Sequence, residues 1–329
     1  MKSIGILGAG AFGTALATAM GRAGLDVLIQ AFEPEVAAEI NEHHVNATYL
    51  PDAPLDPNIR ATTSIEETVQ CDAVIIATPA QFVRKTCELA KPHWNQNTPA
   101  IICSKGIELG TFMLLSEVVE ETLGDMAPIA ILSGPTFAIE VAEEMPTALT
   151  LACKDQKLGQ DLCNSFSSRC FRTYCSPDVV GAQLGGAIKN VLAIACGIIE
   201  GRNMGGNARA AIITRGLAEI ARLGAVLGAD EHTLMGLSGL GDVTLTCSAM
   251  QSRNFSLGAA LGKGQSLESI LASRKTVAEG VHTAAAVTEV ARRNQVDMPI
   301  CQAVDAIINM NANLESVING LLRRPLNVE

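Results

Sequence analysis

Aromatic and basic residues are both scarce in this chain of 329 residues. It holds one Trp, two Tyr and eight Phe, and its 34 Asp and Glu outnumber 24 Lys and Arg, which gives a net charge of −10. Proteins that bind single-stranded nucleic acid stack its bases on aromatic side chains. Proteins that bind the phosphate backbone use clustered basic residues. The composition therefore predicts no nucleic-acid partner.

Paired cysteines and metal-ligand spacings are also missing. The ten cysteines stand singly with no C-x-x-C pair, and His43 and His44 are neighbours whose side chains point in different directions. No Cys, His or carboxylate pattern completes a zinc-type site. We expect no metal, and we expect reduced thiols in a reducing, cytoplasmic compartment.

Two apolar stretches bear on membrane insertion. The N-terminal MKSIGILGAGAFGTALATAMG imitates a secretory signal, although it also fits a strand, a glycine turn and a helix. The run AQLGGAIKNVLAIACGII at 182–199 approaches spanning length, but a central Lys-Asn pair and three interior glycines make it a poor membrane helix. We expect a soluble protein without a transmembrane segment.

Short apolar runs alternate with helical segments over the first half of the chain. Strands are predicted near 3–10, 26–30, 72–79, 99–106, 128–135 and 146–153. Continuous apolar strands separated by helices are typical of a parallel sheet covered on both faces. Beyond Pro177 the pattern is helical, most clearly at 182–199, 208–227, 254–262, 280–294 and 299–309. The sequence thus predicts an α/β domain over 1–178 with a doubly wound sheet, followed by an all-α domain over 179–329.

The first predicted strand runs into a glycine-rich turn. Gly8, Gly10 and Gly13 fit G-x-G-x-x-G, which allows a tight turn, close approach of a pyrophosphate and close helix–strand packing. The following helix offers its N-terminus to the phosphates. This context predicts a Rossmann-type dinucleotide site.

An acidic residue is expected after the second strand to bind the ribose hydroxyls. Glu33 has that position; the alternative is that it only begins the helix that follows at Pro34. No Arg or Lys follows the strand to bind a 2′-phosphate, so the sequence favours NAD over NADP.

Ligands of open parallel sheets bind beyond the carboxyl ends of the strands. Lys105 lies at such an end and is either a cation at the mouth of the crevice or a lysine pointing into water. SGPTFAIE, from 133 to 140, offers backbone N–H groups at a helix start, which suits an anion.

The second half of the chain adds polar residues in unusual settings. Lys189 and Asn190 interrupt the apolar run, Asp242 lies in a glycine-rich turn with Thr246 four residues on, and Ser252, Arg253 and Asn254 stand together at a predicted helix start. Each has a structural alternative. Lys189 could form a buried ion pair, Asp242 and Ser252 could cap a turn or helix, and Arg253 could form a surface ion pair. Reduction of a ketone needs a positioned acid, and a desolvated lysine has the lowered pKa for that role. Lys189 fits it, with Asp242 as its orienting partner.

Six stretches together identify a resemblance: GAGAFGTALA, SGPTFAIE, LGGAIKNVLAIACGIIEG, GGNARAAIITRGLAE, GLGDVTLTC and QSRNFSLG. In this order and spacing they resemble bacterial NAD(P)-dependent glycerol-3-phosphate dehydrogenases. The resemblance implies an oxidoreductase that interconverts dihydroxyacetone phosphate and sn-glycerol 3-phosphate with NAD(P)H, for glycerophospholipid synthesis. It also implies C-terminal helices like those of 6-phosphogluconate dehydrogenase.

The resemblance assigns roles residue by residue. Lys189 is then the proton acceptor or donor, assisted by Asp242 and Lys105. The implied substrate-binding residues are Lys105, Gly134, Thr136, Lys189, Asn190, Asp242, Thr246, Ser252, Arg253 and Asn254. The implied cofactor-binding residues are Gly8, Gly10, Ala11, Phe12, Gly13, Phe32, Glu33, Lys105, Ala138, Arg253, Val277 and Glu279.

Two positions depart from the family pattern. Ala11 stands where a serine is common, and Phe32 stands where the family often has Arg or His. The second change removes the usual partner of a 2′-phosphate.

Other functions fit parts of the same pattern. A β-hydroxy-acid dehydrogenase of the same two-domain build shares the glycine turn and an in-helix Lys-Asn pair. A dinucleotide-sensing protein without turnover, or a non-catalytic assembly protein, would need no buried proton donor. The apolar C-terminal helices leave a homodimer as an expectation.

Overall fold

The computed structural model describes residues 1–273 and 278–325. The chain divides into two compact units. The first consists of Met1–Lys105 and Met113–Gln183, and the second of Gly106–Phe112 and the chain from Leu184 onward.

The first unit is built on one sheet. In the described residues its strands are β1 (Ser3–Leu7), β2 (Asp26–Gln30), β3 (Arg60–Thr62), β4 (Ala73–Ile76), β5 (Ala100–Ile102), β6 (Ile129–Ser133), β7 (Thr147–Cys153) and β8 (Phe171–Ser176). They lie in the order β3-β2-β1-β4-β5-β6-β7-β8. This order reverses at β1, next to β4, and such a switch point is where α/β sheets bind ligands. The doubly wound Rossmann-type sheet that the sequence predicts is confirmed.

Helices cover this sheet on both faces. They are α1 (Ala11–Arg22), α2 (Pro34–His43), α3 (Ile65–Thr68), α4 (Val83–Ala90), α5 (Leu115–Leu123), α6 (Ala138–Ala142) and α7 (Gln156–Phe166). All four residues of β4 are buried. Two separate apolar clusters contain alternate residues of the central strands, Ile75 in one and Ile76 in the other. Burial on both faces explains why these strands are apolar at every position.

The structure corrects the sequence prediction at three strands. The sequence predicts a wholly parallel sheet, but β7 runs antiparallel to β6, with Leu132 opposite Leu151. A strand buried on both faces has the same apolar pattern in either direction, so direction is not encoded locally. The short β3 and the edge strand β8 were missed because neither has a continuous apolar run: β8 reads FRTYCS and buries only Phe171.

The helices from residue 179 onward are α8 (Val179–Gly201), α9 (Gly205–Leu227), α10 (Glu231–Leu234), α11 (Asp242–Thr246), α12 (Arg253–Gly262), α13 (Leu267–Ala272), α14 (Glu279–Arg293), α15 (Pro299–Asn309) and α16 (Leu314–Leu322). A π-helical turn at Leu237–Gly241 precedes α11. Helix α8 is long and apolar enough to cross a membrane, but 94% of its most apolar 18-residue window is buried in the protein, which is typical of a core helix.

Candidate active site

The glycine turn joins β1 to α1 in a conformation that requires glycine. Gly8 has φ +110°, a backbone region that other residues rarely adopt, and a Cβ at Gly13 would collide with the carbonyl oxygen of Gly8. A Cβ at Gly10 would meet no atom within 4 Å, so the backbone there borders open space. Gly10 is the N-cap of α1, and no side chain caps it.

Asn46 holds this turn in place, a role that the sequence analysis missed. Its fully buried side chain donates hydrogen bonds from Nδ2 to the carbonyl of Ala9 and to Oγ1 of Thr14, both at 2.8 Å. Asn46 lies beyond α2 in the segment HHVNATYL, which has no local pattern pointing to the turn. The contact depends on tertiary structure alone.

These features fit a dinucleotide. The open backbone at Gly10 and the start of α1 suit a pyrophosphate, which accepts hydrogen bonds from helix N-terminal N–H groups. At the carboxyl ends of β4 and β6, the buried hydroxyls of Thr78 and Ser133 have no hydrogen-bond partner among the described residues. Buried polar atoms are usually satisfied, so these two hydroxyls fit a ligand bound at this end of the sheet.

Glu33 and Phe32 follow β2 and differ in environment. Glu33 is the N-cap residue of α2, but its side chain makes no cap hydrogen bond. Instead its Oε1 accepts a hydrogen bond from the Tyr49 hydroxyl at 2.8 Å, and this bond raises the pKa of Tyr49. The ring of Phe32 is 87% exposed beside it. The carboxylate and the exposed ring therefore stand where the sequence placed the ribose site.

Lys105 does not simply point into water. Its Nζ donates a hydrogen bond to the carbonyl of Gly134 at 3.1 Å and lies 6.0 Å from the centre of the Phe12 ring. The Thr136 hydroxyl donates to the same carbonyl at 3.2 Å. The structure therefore brings together four residues of the first unit that the resemblance assigned to cofactor or substrate.

Three other predicted cofactor-binding residues lie at the first position of a helix. Ala11 is the first residue of α1, Ala138 begins α6 and Glu279 begins α14. The anion site predicted at SGPTFAIE therefore lies before a helix of only five residues. Val277 lies outside the described residues.

In the second unit, Lys189 contacts Asp242, its predicted orienting partner, and also Thr246. Its Nζ donates to Oδ1 of Asp242 at 2.5 Å and to Oγ1 of Thr246 at 2.9 Å. Lys189 is 7% exposed and Asp242 is fully buried. Two opposite charges out of water offset each other's desolvation when their hydrogen bonds are satisfied.

Close backbone packing explains how this pair forms. A Cβ at Gly185 on α8 would collide with the carbonyl oxygen of Ser238 in the π-helical turn. Gly185 and Lys189 are four residues apart and share a face of the helix. The turn therefore presses against that face and ends where Asp242 begins α11, which positions the carboxylate beside the lysine.

Asn190 and Asn254 form a second buried connection. Oδ1 of Asn190 accepts from Nδ2 of Asn254 at 2.9 Å, and Oδ1 of Asn254 accepts from the Gly280 N–H at 3.0 Å. Ser252 is the N-cap of α12 and its hydroxyl accepts from the Phe255 N–H, so its capping alternative is the one observed. Arg253, the first residue of α12, is exposed.

Two buried cysteines, Cys196 and Cys247, adjoin the Lys189 ion pair. A hydrogen bond with Cys196, together with burial, raises the pKa of Cys247 well above its ordinary value. Neither cysteine has a role predicted from the sequence. In the described residues, no group of three or more His, Cys, Asp or Glu is placed to hold a metal ion.

Comparison with known families and proteins gives a consistent result along the chain. The family models for the N-terminus and the C-terminus of NAD-dependent glycerol-3-phosphate dehydrogenase match residues 3–159 and 178–319. A glycerol-3-phosphate dehydrogenase (NAD(P)+) of Rhodospirillum rubrum is 52% identical over 99% of this chain and 93% of its own. One from Caulobacter vibrioides is 49% identical over 100% and 99%.

A solved structure has the same architecture. The crystal structure of glycerol-3-phosphate dehydrogenase from Coxiella burnetii superposes with a TM-score of 0.94 at 36% identity. The superposition covers 98% of this chain and 99% of that one.

Proposed function

The chain belongs to the NAD-dependent glycerol-3-phosphate dehydrogenase family, and on that premise we propose that it reduces dihydroxyacetone phosphate reversibly to sn-glycerol 3-phosphate. It is an oxidoreductase that uses NAD(P). We propose Lys189 as the residue that exchanges the proton and Asp242 as the residue that holds it in position. The observation that carries this proposal is the buried 2.5 Å contact between Nζ of Lys189 and Oδ1 of Asp242.

Reduction of the ketone requires a general acid that is held in a fixed position. When bound, the cofactor supplies the hydride for the carbonyl carbon. The carbonyl oxygen must then receive a proton, and a positioned general acid contributes about 10²–10⁴-fold to such a step. Lys189 carries transferable protons on Nζ, and its bonds to Asp242 and Thr246 restrict that atom to one position. In the oxidation direction the same nitrogen accepts the proton.

We propose that the start of α12 binds the substrate phosphate. Arg253 has the planar guanidinium that suits a phosphate, since it can donate two parallel hydrogen bonds. Asn254 is held by Asn190 and Gly280, which fixes the backbone that follows Arg253. Ser252 supports the same helix start through its cap.

Residues of the first unit keep predicted roles in ligand binding. Lys105 offers a cation whose position is set by the Gly134 carbonyl, and Thr136 adds a hydroxyl at the same carbonyl. We propose that Lys105 assists substrate binding beside the cofactor-binding residue Phe12.

We further propose that NADH is preferred over NADPH. The Glu33 carboxylate, held by Tyr49, suits the two free ribose hydroxyls and repels a 2′-phosphate. Phe32 adds exposed apolar surface and no positive charge at that position.

The cellular setting follows from the proposed product. sn-Glycerol 3-phosphate is the backbone precursor of glycerophospholipids, and we propose a cytoplasmic enzyme that supplies it.

A homodimer stays a prediction, supported by α16. Five of its nine residues are Leu, Val or Ile, and none is buried in the single chain.

One assay tests the proposed reaction and the cofactor preference together. The purified chain is given dihydroxyacetone phosphate with NADH or NADPH, and loss of absorbance gives kcat/KM for each. We expect turnover of dihydroxyacetone phosphate, a higher value with NADH, and none with unphosphorylated β-keto acids. Turnover of such acids alone would indicate the β-hydroxy-acid dehydrogenase instead, and cofactor binding without turnover would indicate a sensor.

A further inference from the structure

Two cysteines of the first unit, Cys163 and Cys175, have sulfur atoms in direct contact. The thiol of Cys175 on β8 donates a hydrogen bond to Sγ of Cys163 on α7, with the two sulfurs 2.8 Å apart. A disulfide bond is about 2.05 Å long, so the sulfurs need to approach by only roughly 0.8 Å to form one. None of the residues proposed for catalysis contacts this pair in the interactions described above.

The packing of α7 on β8 holds the two backbones in this register. Alternate residues of a strand share a face, which places Thr173 and Cys175 together. The Thr173 hydroxyl donates to the carbonyl of Cys163 at 3.0 Å, next to the sulfur contact. On α7, a Cβ at Gly159 would lie 3.9 Å from Sγ of Cys175, an ordinary van der Waals distance, so the helix passes close to this sulfur.

The two thiols differ in access to solvent. Cys163 is 3% exposed, whereas Cys175 is exposed, and it is the only one of the ten cysteines in that class. Cys196 and Cys247 are also hydrogen-bonded to each other, but both are completely buried. A soluble oxidant therefore reaches Cys175 first, with the buried Cys163 already beside it.

We propose that Cys163 and Cys175 are a reversible redox modification site that closes to a disulfide when a peroxide reaches the protein. The peroxide oxidises the Cys175 thiol to a sulfenic acid, its O–O bond breaks and one water leaves. The Cys163 sulfur then attacks the Cys175 sulfur, the S–O bond breaks, and the hydroxyl leaves as water with the Cys163 proton. The two thiols lose two electrons and two protons in total, and a dithiol reductant restores them.

The environment explains why the pair persists as thiols without an oxidant. Burial, followed by the hydrogen bond shared with Cys175, raises the pKa of Cys163 to about 12. At neutral pH this thiol is protonated and resists direct oxidation, and it reacts once the adjacent Cys175 has become a sulfenic acid. The disulfide ties the edge strand β8 to the helix that packs on it, and such a link restrains the unfolded chain.

Peptide mapping tests the pairing directly. Trypsin cleavage after Lys157 and Arg169 isolates Cys163 in 158–169, and cleavage after Arg172 and Lys189 isolates Cys175 in 173–189. Reduced protein is treated with hydrogen peroxide, the remaining thiols are alkylated, and the digest is analysed by mass spectrometry. We expect these two peptides to be linked, a loss of two titratable thiols, and recovery of both with dithiothreitol.

Variants separate this pair from other thiols. Cys175→Ser should abolish the linkage and the loss of two thiols, while Cys170→Ser, at a half-buried cysteine of the same region, should behave like the unchanged protein. A linkage of either cysteine to Cys153, or conversion of Cys175 to a sulfinic acid while Cys163 remains alkylatable, would overturn the proposal. If a variant fails to fold, the peptide map of the unchanged protein still shows whether Cys163 and Cys175 are linked.

Discussion

Nζ of Lys189 lies 2.5 Å from Oδ1 of Asp242, and the two residues are 53 positions apart in the chain. Thr246 binds both, through a 2.9 Å bond from the lysine and a 3.3 Å bond to the carboxylate. The three side chains form a closed triangle of hydrogen bonds. Burying a charged pair costs desolvation free energy, and the hydrogen bonds of this triangle offset part of that cost.

Replacing Lys189 with methionine removes the proposed acid and keeps the side-chain length. We expect kcat with dihydroxyacetone phosphate to fall by about 10²–10⁴-fold, the usual contribution of a general acid. The dissociation constant for NADH, measured by fluorescence titration, should change little. Lys263→Met, in the C-cap of α12, is the matched control and should retain full activity. An active Lys189→Met enzyme would exclude the lysine as the proton donor.

Replacing Asp242 with asparagine tests the ion pair as a unit. The ammonium is then buried without its counter-charge, which costs about 3–5 kcal/mol of unfolding free energy. The double variant Lys189→Met with Asp242→Asn carries neither charge and should recover most of that stability, although not the activity. Urea unfolding measures the free energy of unfolding of the single and the double variant, provided that the m-value stays constant. Equal stability of Asp242→Asn and the unchanged protein would contradict a buried ion pair.

Arg253→Ala tests the phosphate-binding role. A hydrogen bond to a charged group contributes about 1.5–3 kcal/mol, so KM for dihydroxyacetone phosphate should rise about 10–100-fold. We expect kcat to fall less, and inhibition by inorganic phosphate to weaken in parallel. Arg292→Ala is the control, because its exposed side chain pairs with Glu289 three residues earlier on the same helix. A KM that does not change would remove Arg253 from the phosphate site.

Phe32→Arg tests the cofactor preference. Arginine at this exposed position would offer a charge-assisted hydrogen bond to a 2′-phosphate and offset the repulsion from Glu33. The ratio of kcat/KM for NADPH to that for NADH should rise by about tenfold or more. Leu89→Arg places the same charge at another exposed apolar residue, on α4, and should leave the ratio unchanged. If both variants shift it equally, net charge rather than position is responsible.

Glu219 gives a prediction about pH. This buried carboxylate on α9 accepts hydrogen bonds from the N–H groups of Ile300 and Cys301 at the start of α15, and burial raises its pKa. Between the ordinary glutamate pKa and the raised one, the folded state holds a proton that the unfolded state has lost. The contribution of Glu219 to stability should therefore fall as pH rises through that interval and then level off.

The measurement is urea unfolding of the protein and of Glu219→Gln across a pH series. The difference between the two isolates Glu219, because other titrating groups cancel. We expect the protein to lose stability relative to Glu219→Gln as pH rises above about 4.5. If the protein instead gained stability relative to Glu219→Gln as pH rises, the hydrogen bonds to Glu219 would outweigh the effect of its burial on the pKa.

Local sequence determined the elements and much of the candidate chemistry. The glycine turn, the apolar strands and the long helix α8 were predicted because periodicity and backbone freedom act within a few residues. Lys189 was identified from the same kind of signal, a charge inside an apolar run. The family resemblance then ordered the remaining residues into a site.

Only the tertiary structure decided which residues meet. The antiparallel direction of β7, the bond of Glu33 to Tyr49, the hold of Asn46 on the glycine turn and the contact of Cys163 with Cys175 have no local signature. Such contacts depend on how whole elements pack, and a strand or helix can present the same side chains to several partners. The sequence by itself predicted Lys189 as the acid and Asp242 as its orienting partner; the packing of Gly185 against the π-helical turn decided the geometry of their contact.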